Sequence, residues 1–171
     1  GEKIRISGGG RCNFTNINTN PSKFISSNPN FCISALKQYT QNDFINLVKK
    51  YDIKFHEKKL GQLFCDNSSQ QIIDMLLEEC KSANVILKNE TSVSSVTKIE
   101  NEYFIQTNLE DYVCDSLVIA SGGLSIPKIG ATNFGYQIAK QFNINVIEQN
   151  PGLVPLTFQD IFLKNCQKLA G

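Results

Sequence analysis

The chain carries one histidine, and its six cysteines include no Cys-x-x-Cys pair. Cys12, Cys32, Cys65, Cys80, Cys114 and Cys166 are scattered with no histidine nearby, so metal-ligand spacing is absent and no metal is expected. Without a nucleophile patterned beside that single His56, Ser/His/Asp and Cys/His hydrolase chemistry drops out as well. Charge of one sign is also missing. Seventeen Lys and Arg stand against sixteen Asp and Glu, with no basic stripe, which speaks against a nucleic-acid partner or an anionic membrane surface. Apolar runs such as 117–120 fall far short of the roughly 20 residues a membrane span needs. No signal peptide is visible, so the expected setting is cytoplasmic, with reduced thiols. The 171 residues, 41% of them hydrophobic, amount to about one domain. An opening on Gly1 and an end on Gly171 without a capping element predict a piece of a longer polypeptide.

What is present is concentrated in residues 7–16, Ser-Gly-Gly-Gly-Arg-Cys-Asn-Phe-Thr-Asn. Gly8, Gly9 and Gly10 leave a length of backbone without Cβ atoms, free to take positive φ and to approach a ligand closely. Arg11 adds a planar, permanently charged fork suited to phosphate or an electron-rich ring. Ser7, Asn13, Thr15 and Asn16 supply short hydrogen-bonding side chains. Glycine-rich stretches also serve as linkers. The embedded Arg11-Cys12-Asn13 and the apolar flanks favour a ligand loop. Cys12 reads as a packing residue rather than a reactive thiol.

Along the chain, the alternation in 3–6 predicts a strand end that feeds the loop. Helical spacing follows at 31–39 and again at 41–51, the second opened by a Thr40–Asp43 cap. Short strands are expected at 53–56 and 63–65 around a turn at Gly61. A Ser68-x-x-Gln71 capping box opens a helix over 69–82. The period then changes to two, and 85–87, 92–99, 103–107 and 112–114 predict an antiparallel meander. The apolar run 116–120 predicts a strand buried on both faces of a parallel sheet, ending in Ser121-Gly122-Gly123. A helix over 134–142 stops at Asn143. The two glycine-rich turns are expected to face one crevice, where open α/β sheets bind ligands.

These segments resemble the BaiN/YhiN-like flavoproteins, NAD(P)/FAD-dependent oxidoreductases that include an aminoacetone oxidase. The likeness lies in Ser7–Asn16 as quoted, in Ile119-Ala-Ser-Gly-Gly-Leu-Ser-Ile-Pro-Lys-Ile-Gly-Ala-Thr-Asn-Phe-Gly-Tyr-Gln-Ile-Ala139, and in Pro151-Gly-Leu-Val-Pro-Leu156. Gly61-Gln-Leu-Phe64 also resembles a family element. The chain departs from the family at Ser121, where Thr is common, and at Asn133-Phe134-Gly135, where Gly-Asp-Gly is common.

The resemblance implies an α/β fold: an FAD-binding, two-dinucleotide-binding-type Rossmann-like domain with an antiparallel β-meander, truncated at both ends. Residues 1–155 would form the central part of that domain, and 156–171 the start of an inserted substrate domain. By the likeness Ser7, Gly8, Gly9, Gly10, Arg11 and Asn13 lie along the pyrophosphate and flavin end of FAD. Val93 presents its backbone to the adenine, and Ala120, Ser121, Gly122 and Gly123 close over the nucleotide half. The implied activity is flavin-dependent oxidation or reduction of a small organic substrate, with NAD(P)H the candidate reductant. The rest of the parent polypeptide is needed to complete the site. Two alternatives stay open at this point, a non-catalytic nucleotide- or phosphate-binding module and an inactive truncated product. A bound-flavin absorption band separates them from the first reading. His56 sits in a Lys/Glu-rich stretch with no carboxylate partner apparent, and reads as a half-exposed strand residue.

Overall fold

Residues 2–6 form a helix, where their period-two pattern predicts a strand. The computed structural model describes residues 1–126, 129–151 and 159–168. In it Glu2–Ile6 is helix α1. Among the described residues no strand pairs with this segment, and tertiary contacts decide the matter instead. Arg5 donates to Glu2 (3.1 Å) and, across to the later helix α4 (Gln70–Ser82), to Gln70 Oε1 (2.8 Å). Ile4 packs on the core.

The chain divides into two units, Gly1–Leu117 with Ile126–Gly130, and Val118–Ser125 with Ala131–Gly171. The first contains two antiparallel sheets. Strands β1 (Asn13–Asn16), β2 (Phe55–Glu57) and β3 (Gln62–Cys65) pair in the order β1-β3-β2. Strands β4 (Val93–Ile99), β5 (Glu102–Thr107) and β6 (Tyr112–Cys114) form the meander that the alternation predicts. Residues 85–87 are not part of it; they are exposed and pair with no strand.

Helix α2 (Ile33–Gln38) buries no residue, while α3 (Gln41–Lys50) and α4 pack with the first sheet. The cap read at Thr40 is complete. Thr40 Oγ1 accepts from the Asp43 N–H (3.3 Å), and Asp43 Oδ2 accepts from the Thr40 N–H (2.7 Å). The Thr40 hydroxyl, which donates to Asp43 Oδ2 (2.6 Å), and then the Thr40 N–H hold the Asp43 carboxyl below its usual range. The box read at Ser68 and Gln71 does not close. Ser68 Oγ accepts from the Gln70 N–H (3.1 Å), while Gln71 Oε1 meets no partner among the described residues. Ser69 is drawn away to a different task described below.

Val48, Ile72, Met75, Ile53, Cys12 and Cys65 make the core. Phe14 stands edge-on to Phe55 (centroids 5.3 Å apart) and tilted to Phe44 (6.0 Å), sealing one side. Tyr51 and Lys50 both donate to Glu79 Oε1 (2.7 and 2.8 Å), which ties α3 to α4.

In the second unit, helix α5 (Phe134–Gln141) buries Ile138 and ends at Asn143 with φ 57°, the left-handed stop its sequence predicts. A further helix, α6, spans Asp160–Gln167. The run 116–120 is not a strand here; Val118 is 83% exposed. An apolar strand needs hydrogen-bonded neighbours, and among the described residues no strand pairs with this run. Pro127, Lys128 and the stretch 152–158, which includes most of the third family-like segment and the expected boundary at 155, lie outside the described residues.

Candidate functional site at the glycine turn

Three consecutive glycines follow α1 with left-handed backbone: Gly8 at φ 57°, Gly9 at 67° and Gly10 at 84°. Two sides of this turn differ. A Cβ on Gly8 would sit 2.7 Å from the Phe64 ring and 2.8 Å from the Asn13 nitrogen, so this glycine is pressed against the sheet. Built on Gly9 or Gly10, a Cβ meets nothing within 4 Å. Gly8 is therefore glycine for packing. Gly9 and Gly10 present bare main chain outward, the kind of surface a flat or phosphorylated group can approach.

The turn is held from behind. Cys12 N–H donates to Ser7 O (3.0 Å), and Ser7 Oγ donates to Ile4 O (2.8 Å). Ser69, buried ahead of α4, donates its N–H to Gly10 O and its hydroxyl to Arg5 O, both at 2.8 Å. The Cys65 N–H reaches Arg11 O at 2.9 Å. Helix, sheet and turn are thus tied through main-chain atoms, leaving the Arg11 side chain exposed with no partner among the described residues.

Asn13 is less available than its sequence position suggests. In the orientation that its surroundings satisfy, its amide nitrogen donates to Thr15 O and Leu63 O, both at 3.2 Å, bridging the irregularity in the β1–β3 pairing. Cys12 is buried at φ 51° beside Cys65. Burial, then the neighbouring Cys12 and Asp66, pushes the Cys65 thiol up to about 11, so it stays protonated and inert at neutral pH. The packing reading of Cys12 holds.

An open, largely apolar groove of about 490 Å³ lies beside the turn, lined by Ile4, Ser7, Asn13, Phe14, Phe44 and Ile126 among others. At the far end of β1 a second pocket of about 570 Å³ is lined by Asn16, Asn18, Thr19, Lys23, Phe24 and Leu60.

Val93 begins β4, opposite Thr107, just before an irregularity in the β4–β5 register. Ala120, Ser121, Gly122 and Gly123 belong to the second unit. There Gly122 takes φ 78° with open space around it, and a Cβ on Gly123 would lie 2.8 Å from Tyr136 Oη. Gly135 lets Ser121 Oγ come within 3.0 Å of its Cβ position, so the start of α5 nests against this turn. Ser7 to Asn13 are brought together by one continuous turn; Val93 and 120–123 stand on separate elements.

One pair was not legible in the sequence. His56 Nδ1 lies 2.7 Å from Asp66 Oδ1, and its ring stacks on Phe64 with centroids 6.4 Å apart and an interplanar angle of 19°. The partners are ten positions apart and meet only through the β2–β3 hairpin. The available signal was a carboxylate just after a short strand that follows another short strand containing histidine. Among the described residues no cluster of three or more His, Cys, Asp or Glu is arranged to hold a metal, and no helix is long and apolar enough to cross a membrane.

Compared with known proteins, residues 1–164 match the HI0933-like protein Rossmann domain. The chain belongs to this family. HI0933-like domains are FAD-binding and related to the BaiN/YhiN flavoproteins, so the glycine turn sits in a flavoprotein fold of the oxidoreductase type. The chain is similar to an Escherichia coli protein named ribosomal RNA dihydrouridine synthase, 52% identical over all 171 residues and 43% of that protein. A Haemophilus influenzae protein of the same name is 48% identical over 94% of the chain and 41% of its own length. A 3-dehydro-bile acid delta(4,6)-reductase of Clostridium scindens is 22% identical over 91% of the chain and 38% of that protein. The HI0933-like chain thus spans about two fifths of the length of the curated relatives it matches.

Proposed function

We propose that this chain forms the central part of the FAD-binding domain, residues 1–155, of an enzyme that reduces uridine in ribosomal RNA to dihydrouridine, with 156–171 leading into an inserted substrate domain. The observation that carries this reading is identity of about half, over essentially the whole chain, to two relatives bearing that name. The sequence alone suggested a small organic substrate and no nucleic acid, and the distant bile-acid reductase still fits a small substrate. Its much lower identity leaves RNA the preferred reading. The two names also share a chemistry, since uracil and a 3-dehydro steroid unsaturated at position 4 each offer a C=C bond conjugated to a carbonyl.

The bare main chain of Gly9 and Gly10 and the open Arg11 guanidinium fit an anionic, flat cofactor. In this proposal Ser7 to Arg11 and Asn13 hold the pyrophosphate and flavin end of FAD. Val93 lends its backbone to the adenine, and 120–123 cover the nucleotide half. When bound, FAD supplies hydride-transfer chemistry, with NAD(P)H the proposed source of electrons. The chain's own residues do the rest. Gly8 and Ser69 fix the turn in place. Arg11 sets positive charge where negative charge grows on reduction.

The test is genetic and chemical. Ribosomal RNA from cells lacking the gene is digested and its dihydrouridine measured by mass spectrometry. The nucleoside should vanish and return on complementation, and the purified full-length protein should contain flavin. Unchanged dihydrouridine in the deletion strain removes the RNA reading.

A further inference from the structure

Reduction of a conjugated C=C bond needs a proton as well as a hydride, so a proton donor must lie near the glycine turn. Cross-strand pairing sets Asn13, Phe64 and His56 in a row on one face of the β1-β3-β2 sheet, since Asn13 and His56 both stand opposite Phe64. Two strand spacings, about 10 Å, carry the row from the end of the glycine turn to the imidazole. Phe64 connects them physically. Its ring takes Gly8 at one edge and stacks with His56, and Lys58 Nζ lies 5.2 Å from its centroid.

The imidazole is oriented rather than loose. Asp66 accepts and cannot donate when ionised, so Nδ1 carries the hydrogen between them. Nε2 has no partner among the described residues. Asp66 is itself fixed, its main-chain N–H donating to Lys54 O at 3.0 Å. His56 and Asp66 are each a little under half exposed, and such a pair contributes little to stability, about 0–1 kcal/mol. An oriented imidazole whose outer nitrogen meets no other described residue, one aromatic ring away from the glycine turn, is the arrangement of a general acid when that nitrogen carries a proton.

We propose that His56, oriented by Asp66, is the proton donor to the carbon adjacent to the substrate carbonyl, which on the reading above is uracil C5. The proposal rests on that reading for the identity of the substrate. FAD, when bound, would supply the hydride to C6, on which the C5=C6 electron pair of the substrate moves toward the C4 carbonyl. As that pair returns, C5 takes the proton from Nε2 of the doubly protonated imidazolium; that N–H bond breaks, a C–H bond forms, and Nδ1 keeps its hydrogen toward Asp66. Uracil is reduced, the cofactor is oxidised, and neutral imidazole regains its proton from water.

The experiment uses the full-length protein with its flavin, wild type against His56→Gln and Asp66→Asn. After anaerobic reduction, substrate RNA is added and dihydrouridine is followed in a single turnover. His56→Gln should slow this step by about 100- to 10,000-fold. Flavin content and the rate of cofactor reduction by the electron donor should not change, and added imidazole should restore part of the loss. Asp66→Asn, which removes only the orienting group, should lose less. Independently of turnover, ¹⁵N spectra of wild-type His56 should show hydrogen on Nδ1, and Asp66→Asn should perturb that signal. Full-rate turnover by His56→Gln, or a loss matching lost flavin, overturns the proposal. If the wild type reduces no uridine, the substrate reading falls instead, and 2-cyclohexenone becomes the probe. His56 must then govern uptake of solvent deuterium next to its carbonyl, and absence of wild-type reduction there rejects the proton donor too.

Discussion

Adjacent glycines of one turn are predicted to fail in opposite ways. Gly9→Ala places a left-handed alanine in open space, at a cost of about 1–2 kcal/mol, and sets a methyl on the outward face. Protein yield and urea midpoint should fall modestly while flavin is lost. Gly8→Ala carries the same strain plus a collision with Phe64 and the Asn13 nitrogen, adding on the order of 1–3 kcal/mol. Stability should collapse before binding can be measured. Arg11→Ala should leave the urea midpoint in place and weaken flavin by roughly 10- to 100-fold, the worth of one charge-assisted contact. Retained flavin in that variant takes Arg11 out of the site. At this scale the sequence was informative about residue types and silent about sides. Three glycines in a row announce positive φ, but only Phe64, over fifty residues away, distinguishes the packed glycine from the open ones.

Among elements, Ser69 and Cys65 make the clearest tests. The Ser69 hydroxyl holds Arg5 O from a buried position, so Ser69→Ala strands that carbonyl and should cost about 1–2 kcal/mol in a denaturant melt. Flavin retention should decline with it, because the same residue's main chain holds Gly10. Cys65 predicts an alkaline limb. Its thiol titrates near 9.0 when unfolded and near 11 when folded, so unfolding releases a proton between those values. Stability from this group is intact below about pH 9 and is lost as pH rises through 11, by about 2–3 kcal/mol at most. Cys65→Val should flatten that limb in melts recorded from pH 8 to 11.

Elements whose signal is local were readable before any coordinates. The Thr40–Asp43 cap, the α4 stripe and the Asn143 stop each depend on residues within one turn of helix. Residues 3–6 form a helix rather than a strand because alternation says strand only where a neighbour exists; here Arg5 pairs with Glu2 inside the helix and hydrogen-bonds Gln70 of α4. The His56–Asp66 pair was invisible because register, not spacing, creates it.

For the whole molecule, the HI0933-like match runs over residues 1–164, whereas the sequence resemblance is carried by glycine-rich segments separated by more than a hundred residues. Local physics could suggest each segment, and only the resemblance joined them. Residues 116–120 carry the pattern of a doubly covered strand yet leave Val118 open. Expressed alone, the 171-residue polypeptide should therefore purify with less than one flavin per chain and bind a hydrophobic dye. A stoichiometric yellow protein with no dye signal contradicts this.

The β2–β3 hairpin has a further implication for how such a chain can change. Residues 58–61 connect the two strands, and Gly61 at φ 80° has Asn16, Ile17 and Asn18 within 3 Å of a Cβ position. Side chains alternate faces along a strand, so one inserted or deleted residue there would turn His56 to the opposite side of the sheet. Relatives that share this chemistry should keep the number of residues between Glu57 and Gln62, and the glycine at 61 among them.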